Sequence, residues 1–134
     1  MKWKRFCEFK GLKGAKKAGV YFLAVFHSTP PRRVSHTDPH IIYIGCAINL
    51  SRRLLHYRSA FLSDQNTHHQ AGTRLANAIK GRKYKNRIPP WLYFLLALVH
   101  TKNEVAKNVQ DIEFQYIWKF QRRNGILPVH NMKK

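Results

Sequence analysis

The stretch His40–Ser59 reads HIIYIGCAINLSRRLLHYRS, and two periodicities follow one another in it. Ile41, Ile42, Tyr43 and Ile44 form a β-branched and aromatic run, the pattern of a strand. Gly45 is expected to end that strand, where a side chain would block close approach of another backbone or a ligand. Asn49 is a helix-capping residue type, and Leu50, Leu54 and Tyr57 then recur at helical spacing beside Arg52, Arg53 and Arg58. This helix is expected to end near Phe61 or Leu62. Arg53 and Tyr57 stand four apart, so one helical face turns both toward the mouth of the strand. A guanidinium and two phenols converging there suit phosphate chemistry. A βα unit whose tyrosines are simply core satisfies the same pattern.

Charge narrows the choice of partner. The 134 residues make one domain the expectation, and the 44% apolar fraction places the chain among folded proteins rather than disordered basic tails. Against six Asp and Glu stand 25 Lys and Arg, a formal net charge of +19. A compact domain this basic repels itself and calls for a polyanion, with nucleic acid, DNA or RNA, the first expectation. No basic amphipathic helix or lipidation motif favours an anionic membrane instead. Cys7 and Cys46 match no zinc spacing and are too few for a disulfide framework, so they read as free thiols of a reducing compartment. The basic N-terminus has no apolar run of signal-peptide type. The longest apolar run, Trp91 to Val99, falls far short of the roughly 20 residues a membrane helix needs. The expected location is the cytoplasm, as a monomer or homodimer.

Residues 1–18 carry seven Lys or Arg interleaved with Trp3, Phe6 and Phe9, and are expected to form a basic arm, either solvated or lying along a nucleic-acid backbone. Residues 19–134 then form one domain. Val20 to Phe26 is apolar on both faces and reads as a central strand; His27 to Pro39, rich in proline, is a long loop. Thr73 to Ile79 reads as a short helix with Leu75, Ala76 and Ile79 inward. The run from Arg74 to Arg87 holds six basic residues and no acid, which suits a phosphate-contacting surface better than a merely solvated face. Arg82, Lys83, Lys85 and Arg87 in that run, with Arg52 and Arg58 on the first helix, are the candidate nucleic-acid-binding residues. The adjacent His68 and His69 point apart on a helix and make a poor chelating pair. Trp91 to Val99 reads as a third strand. The last helix is expected from Glu104, capped by Asn103 or Thr101, to about Arg123, with Gly125 ending it. The order of elements predicts an α+β domain: a small three-stranded antiparallel sheet flanked by helices.

On the last helix Val105, Val109, Ile112, Tyr116 and Phe120 form an apolar stripe, and Glu113 falls within that sector. A carboxylate there needs compensation. An ion pair with a nearby arginine and a single-carboxylate Mg²⁺ site both supply it. Phe114 and Trp118 lie on the opposite side and call for a cover, from the segment 59–90 or from a dimer partner.

Taken together, Gly19-Val20-Tyr21, Tyr43-Ile44-Gly45, Arg53 ten residues after Tyr43, Tyr57 four further on, Glu113 in the final helix, and Pro128 with Asn131 resemble the GIY-YIG nuclease superfamily over most of residues 19–131. The resemblance implies a metal-dependent DNA endonuclease using one divalent ion, Mg²⁺ or Mn²⁺, held by Glu113. It implies that Tyr21 and Tyr43 line the site and that one of them helps deprotonate or orient the attacking water. Arg53 would bind the scissile phosphate, Tyr57 would assist proton transfer or phosphate binding, and Asn131 would support the site through hydrogen bonds. A tyrosine acting as base needs a nearby cation to bring its pKa down from about 10. Some members carry a lysine after the second motif, where this chain has Cys46. The basic segment at about 59–90 and the loop 27–39 exceed a minimal module and read as substrate-binding additions. The other readings are a nucleic-acid-binding protein of this fold without catalysis, and a basic structural or ribosome-associated protein whose tyrosines are only core.

Overall fold

The computed structural model describes residues 1–13, 17–63, 70–81, 84, 86–99 and 105–131. In chain order the elements are β1 (Lys4–Arg5), a 3₁₀ turn (Phe6–Glu8), β2 (Ala18–Val25), β3 (Ile41–Ala47), α1 (Leu50–Leu62), α2 (Gln70–Lys80), β4 (Leu92–Val99), α3 (Val105–Asn124) and a second 3₁₀ turn (Val129–Asn131). The strands form one antiparallel sheet in the order β1-β4-β2-β3. The apolar run expected at the centre is there: β2 pairs along its whole length with β4 and along most of it with β3.

The sheet has four strands where three were expected, and the extra one comes from the supposed arm. Lys4 and Arg5 pair with Phe94 and Tyr93 of β4. Trp3, Phe6 and Phe9 are buried, while the cations between them face water. The spacing of three explains how: in a 3₁₀ turn residues i and i+3 eclipse, so Phe6 and Phe9 stack at 6.0 Å and both meet Phe94 edge-on. Trp3 goes to the other face of the sheet and packs on Phe26.

Helices cover both faces. On one, α1 and α2 pack Leu50, Leu54, Tyr57, Phe61, Ala76 and Ile79 against Tyr21, Leu23, Leu92 and Phe94. On the other, α3 lays Phe120 with partly buried Ile112, Tyr116 and Ile117 over Val20, Phe22, Ile44 and Leu95. The segment 59–90 is therefore structural as well as basic. Lys80, one of its six cations, is buried with its Nζ donating to the carbonyls of Ala60, Phe61 and Ser63, the unsatisfied C-terminus of α1. It is not available to a phosphate.

No helix among the described residues is long and apolar enough to cross a membrane. His68, His69, Thr101, Asn103 and Glu104 lie outside the described residues. The α3 stripe ends as expected, at Gly125, whose positive φ of 78° allows its amide to donate to Gln121.

Candidate active site

Three elements bring the phenols together. β2 carries Tyr21, β3 carries Tyr43, and α1 carries Tyr57 one turn beyond Arg53. The helix starts where it must for this, because the Asn49 side chain accepts from the Arg52 amide at 3.1 Å and fixes the first turn. The Tyr21 and Tyr57 hydroxyls are 2.7 Å apart, with ring centroids at 5.7 Å; the Tyr43 ring lies 6.0 Å from that of Tyr21. Arg53 is exposed, and its charge interacts with the hydroxyls of both Tyr21 and Tyr57.

Gly45 does not end β3. The strand continues to Ala47, and Gly45 pairs with Tyr21 in register. A Cβ at this position would sit 2.5 Å from Cζ and the hydroxyl oxygen of Tyr21 and 2.8 Å from Cε2 of Tyr43. The expected close approach is real, but the approaching group is the Tyr21 ring rather than a backbone or ligand. The missing side chain is the seat of that ring.

Strand alternation divides the remaining residues. Tyr43 and Gly45 face α1, so Ile44 and Cys46 face α3. There the half-buried Cys46 thiol lies close enough to the Glu113 carboxylate to feel its charge. Because β3 is the outer strand, the phenol–guanidinium group and the carboxylate sit on opposite faces of one sheet edge. Half-buried Tyr43 feels the Glu113 charge across that edge. Asn131 closes the same edge. Its Oδ1 accepts from the Ile44 amide and its Nδ2 donates to the Ile44 carbonyl, both at 2.8 Å, as a neighbouring strand would. It thereby holds the backbone between Tyr43 and Gly45. None of its hydrogen bonds goes to a phenol.

The electrostatics keep Tyr21 and Tyr43 neutral. Burial pushes Tyr21 well above the ordinary tyrosine range, with Tyr57 and Tyr43 adding to it and Arg53 opposing. Burial also raises Tyr43, to about 12, helped by Tyr57 and the Glu113 charge. Cys46 rises to about 12 through burial and then through the Glu113 carboxylate. Arg53 was expected to help a tyrosine ionise; its effect has the right sign and is outweighed by desolvation. Of the three phenols, Tyr21 and Tyr57 are buried and only Tyr43 reaches solvent.

Among the described residues no three His, Cys, Asp or Glu side chains cluster as a metal-holding group. One carboxylate beside a thiol does not make a zinc cage. It does fit Mg²⁺, which takes one or two carboxylates and keeps its waters.

The nucleic-acid candidates scatter. Arg52 is exposed in the first turn of α1. Arg58 is half-buried, with an Nε that is buried and lacks a hydrogen-bond partner. Arg87 is exposed, its guanidinium 4.8 Å over the Tyr84 ring. Arg82, Lys83 and Lys85 lie outside the described residues. Sequence reasoning missed the contact of Cys46 with Glu113. Period-two arithmetic from Tyr43 was the available signal, since it already puts Cys46 on the other face. No protein-family model, curated protein or solved structure matches this chain.

Proposed function

We propose that this chain is a metal-dependent endonuclease hydrolysing phosphodiester bonds in DNA, of the GIY-YIG type that its motifs resemble. One observation carries the reading: the charge of the exposed Arg53 bears on the hydrogen-bonded hydroxyls of Tyr21 and Tyr57, beside a solvent-reaching Tyr43 and around one strand edge from Glu113. A core that needed only apolar packing would not place a guanidinium on two phenols. The net charge of +19 supplies the affinity for the substrate.

In this reading Arg53 binds the scissile phosphate, its planar fork matching the non-bridging oxygens and neutralising the charge that grows on them. Tyr21 and Tyr57 fix the guanidinium from below; being buried, they touch no substrate. Tyr43 is the phenol that meets the attacking water. With its pKa near 12 it orients that water as a neutral hydrogen-bonding group rather than as a phenolate. Asn131 keeps Tyr43 in place through the β3 backbone. Glu113 would hold the divalent ion, which when bound polarises the phosphate and stabilises the leaving 3′ oxygen.

The neutral Tyr21 and Tyr43 favour a second reading, a nucleic-acid-binding protein of this fold without catalysis. A panel of single-stranded, duplex and branched DNA and RNA, incubated with Mg²⁺ or Mn²⁺, separates the two. The first reading expects cleavage of at least one DNA substrate and none by Arg53→Ala. Binding to the panel with no product from any member refutes it.

A further inference from the structure

The outer face of α3 has no use in that chemistry. Phe114 and Trp118 are 63% and 56% exposed, on the side of the helix opposite the stripe that packs on the sheet. The described part of the segment expected as a cover packs elsewhere, with α2 against α1 beyond the other face of the sheet. Burying two aromatic rings is worth several kcal/mol, roughly 1.5–3 for each, so their exposure is a cost that folding alone leaves in place.

Their surroundings indicate an occupant. Arg122 continues the line four residues after Trp118, and its guanidinium lies 5.1 Å over the indole ring. Lys119 is exposed on the flank, its Nζ 5.9 Å over the Tyr116 ring, Arg123 is exposed about 140° round the helix from Trp118, and the exposed Asp111 shares the face of the row. Four residues of helix advance about 6 Å, so Phe114, Trp118 and Arg122 make a row of two rings and a planar cation along one side. A second copy of this chain is a poor fit to that row. It would set a second chain of net charge +19 against a molecule already at +19. The row instead combines what single-stranded nucleic acid requires, flat apolar faces for unpaired bases and, in Arg122, a planar cation beside them for a phosphate.

We propose that the outer face of α3 is a binding site for single-stranded nucleic acid, with bases stacking on Trp118 and Phe114 and Arg122 meeting the backbone. This site lies across the sheet from Arg53 and does not depend on catalysis.

The test is fluorescence anisotropy of a labelled 15-nucleotide oligo(dT) in EDTA at low salt, using the full chain, with Trp118→Ala and Trp118→Phe. Trp118→Ala weakens binding at least about fivefold, since stacking on one aromatic is worth that or more. Trp118→Phe keeps most of the affinity. Circular dichroism of both variants matches wild type, as this side chain packs on no core. Unchanged affinity in Trp118→Ala overturns the proposal. So does a light-scattering change from dimer to monomer in that variant, which would make the face a self-association surface. An equal loss of affinity for polyglutamate overturns it too, since that would show an acidic-protein site. Plasmid nicking by Trp118→Ala stays at the wild-type level, so failure here and failure of the nuclease reading are read on separate assays.

Discussion

Replacing Gly45 by alanine tests the seating of the phenols most severely. The new Cβ would lie 2.5 Å from Cζ and the hydroxyl oxygen of Tyr21, whereas ordinary contact starts at 3.4 Å. The ring must therefore retreat by about 1 Å, into a core with no free space for it. A retreat of that size stretches the 2.7 Å Tyr21–Tyr57 hydrogen bond past its useful range. Overpacking costs about 1–3 kcal/mol and losing a buried hydrogen bond about 1–3, so Gly45→Ala should destabilise by roughly 2–5 kcal/mol. Urea unfolding followed by circular dichroism reads this as a midpoint lower by about 1–3 M at unchanged slope. Combined with Tyr57→Phe the two losses should fall short of additive by about 1 kcal/mol, because both delete the same hydrogen bond. A loss below about 0.5 kcal/mol for Gly45→Ala would show that the ring does not rest on this glycine, and the geometry of the phenol pair would be wrong.

Phe6→Ala should cost about 3–5 kcal/mol in the same unfolding measurement, because the ring is fully buried between Phe9, Phe61 and Phe94; a neutral result would return residues 1–9 to the status of an arm. Lys80→Met should lower stability by about 1–3 kcal/mol through the carbonyls it leaves unmet at the end of α1, and amide exchange at the last turn of α1 should accelerate; unaltered exchange there contradicts the cap. Tyr21 and Tyr43 hold their protons longer in the folded chain than in the unfolded one, so their contribution is complete below about pH 10 and declines as pH rises toward 12. Absorbance at 295 nm during alkaline titration should show these two phenols ionising last, together with the loss of structure, and a phenol titrating near pH 8 would contradict the neutral site.

Much of the site was legible because its residues are placed by local periodicity. Strand alternation and the Asn49 cap were enough to put Tyr43, Arg53 and Tyr57 in reach of one another, and Tyr21 joins them through the register of β2 on β3. What stayed hidden depends on contacts between distant segments. A strand of two residues has no periodicity to read, and the charges of Lys4 and Arg5 disguised the apolar spacing of Trp3, Phe6 and Phe9. Gly45 looks like a terminator until the Tyr21 ring that occupies its missing side chain is known. Lys80 reads as one more surface cation, since only the packing of α2 on α1 reveals the carbonyls it serves. Helical arithmetic put Glu113 inward but could not say that inward, for α3, means the face of the sheet opposite Arg53.

The most direct test of the central claim is the Mg²⁺-dependent nicking of supercoiled plasmid by the wild-type chain, Arg53→Ala and Glu113→Ala, with duplex binding measured alongside. The account predicts nicked plasmid from wild type and at least about a hundredfold less from either variant, each still binding duplex. A wild type that binds plasmid and never nicks it, or a Glu113→Ala that nicks at the wild-type rate, contradicts it.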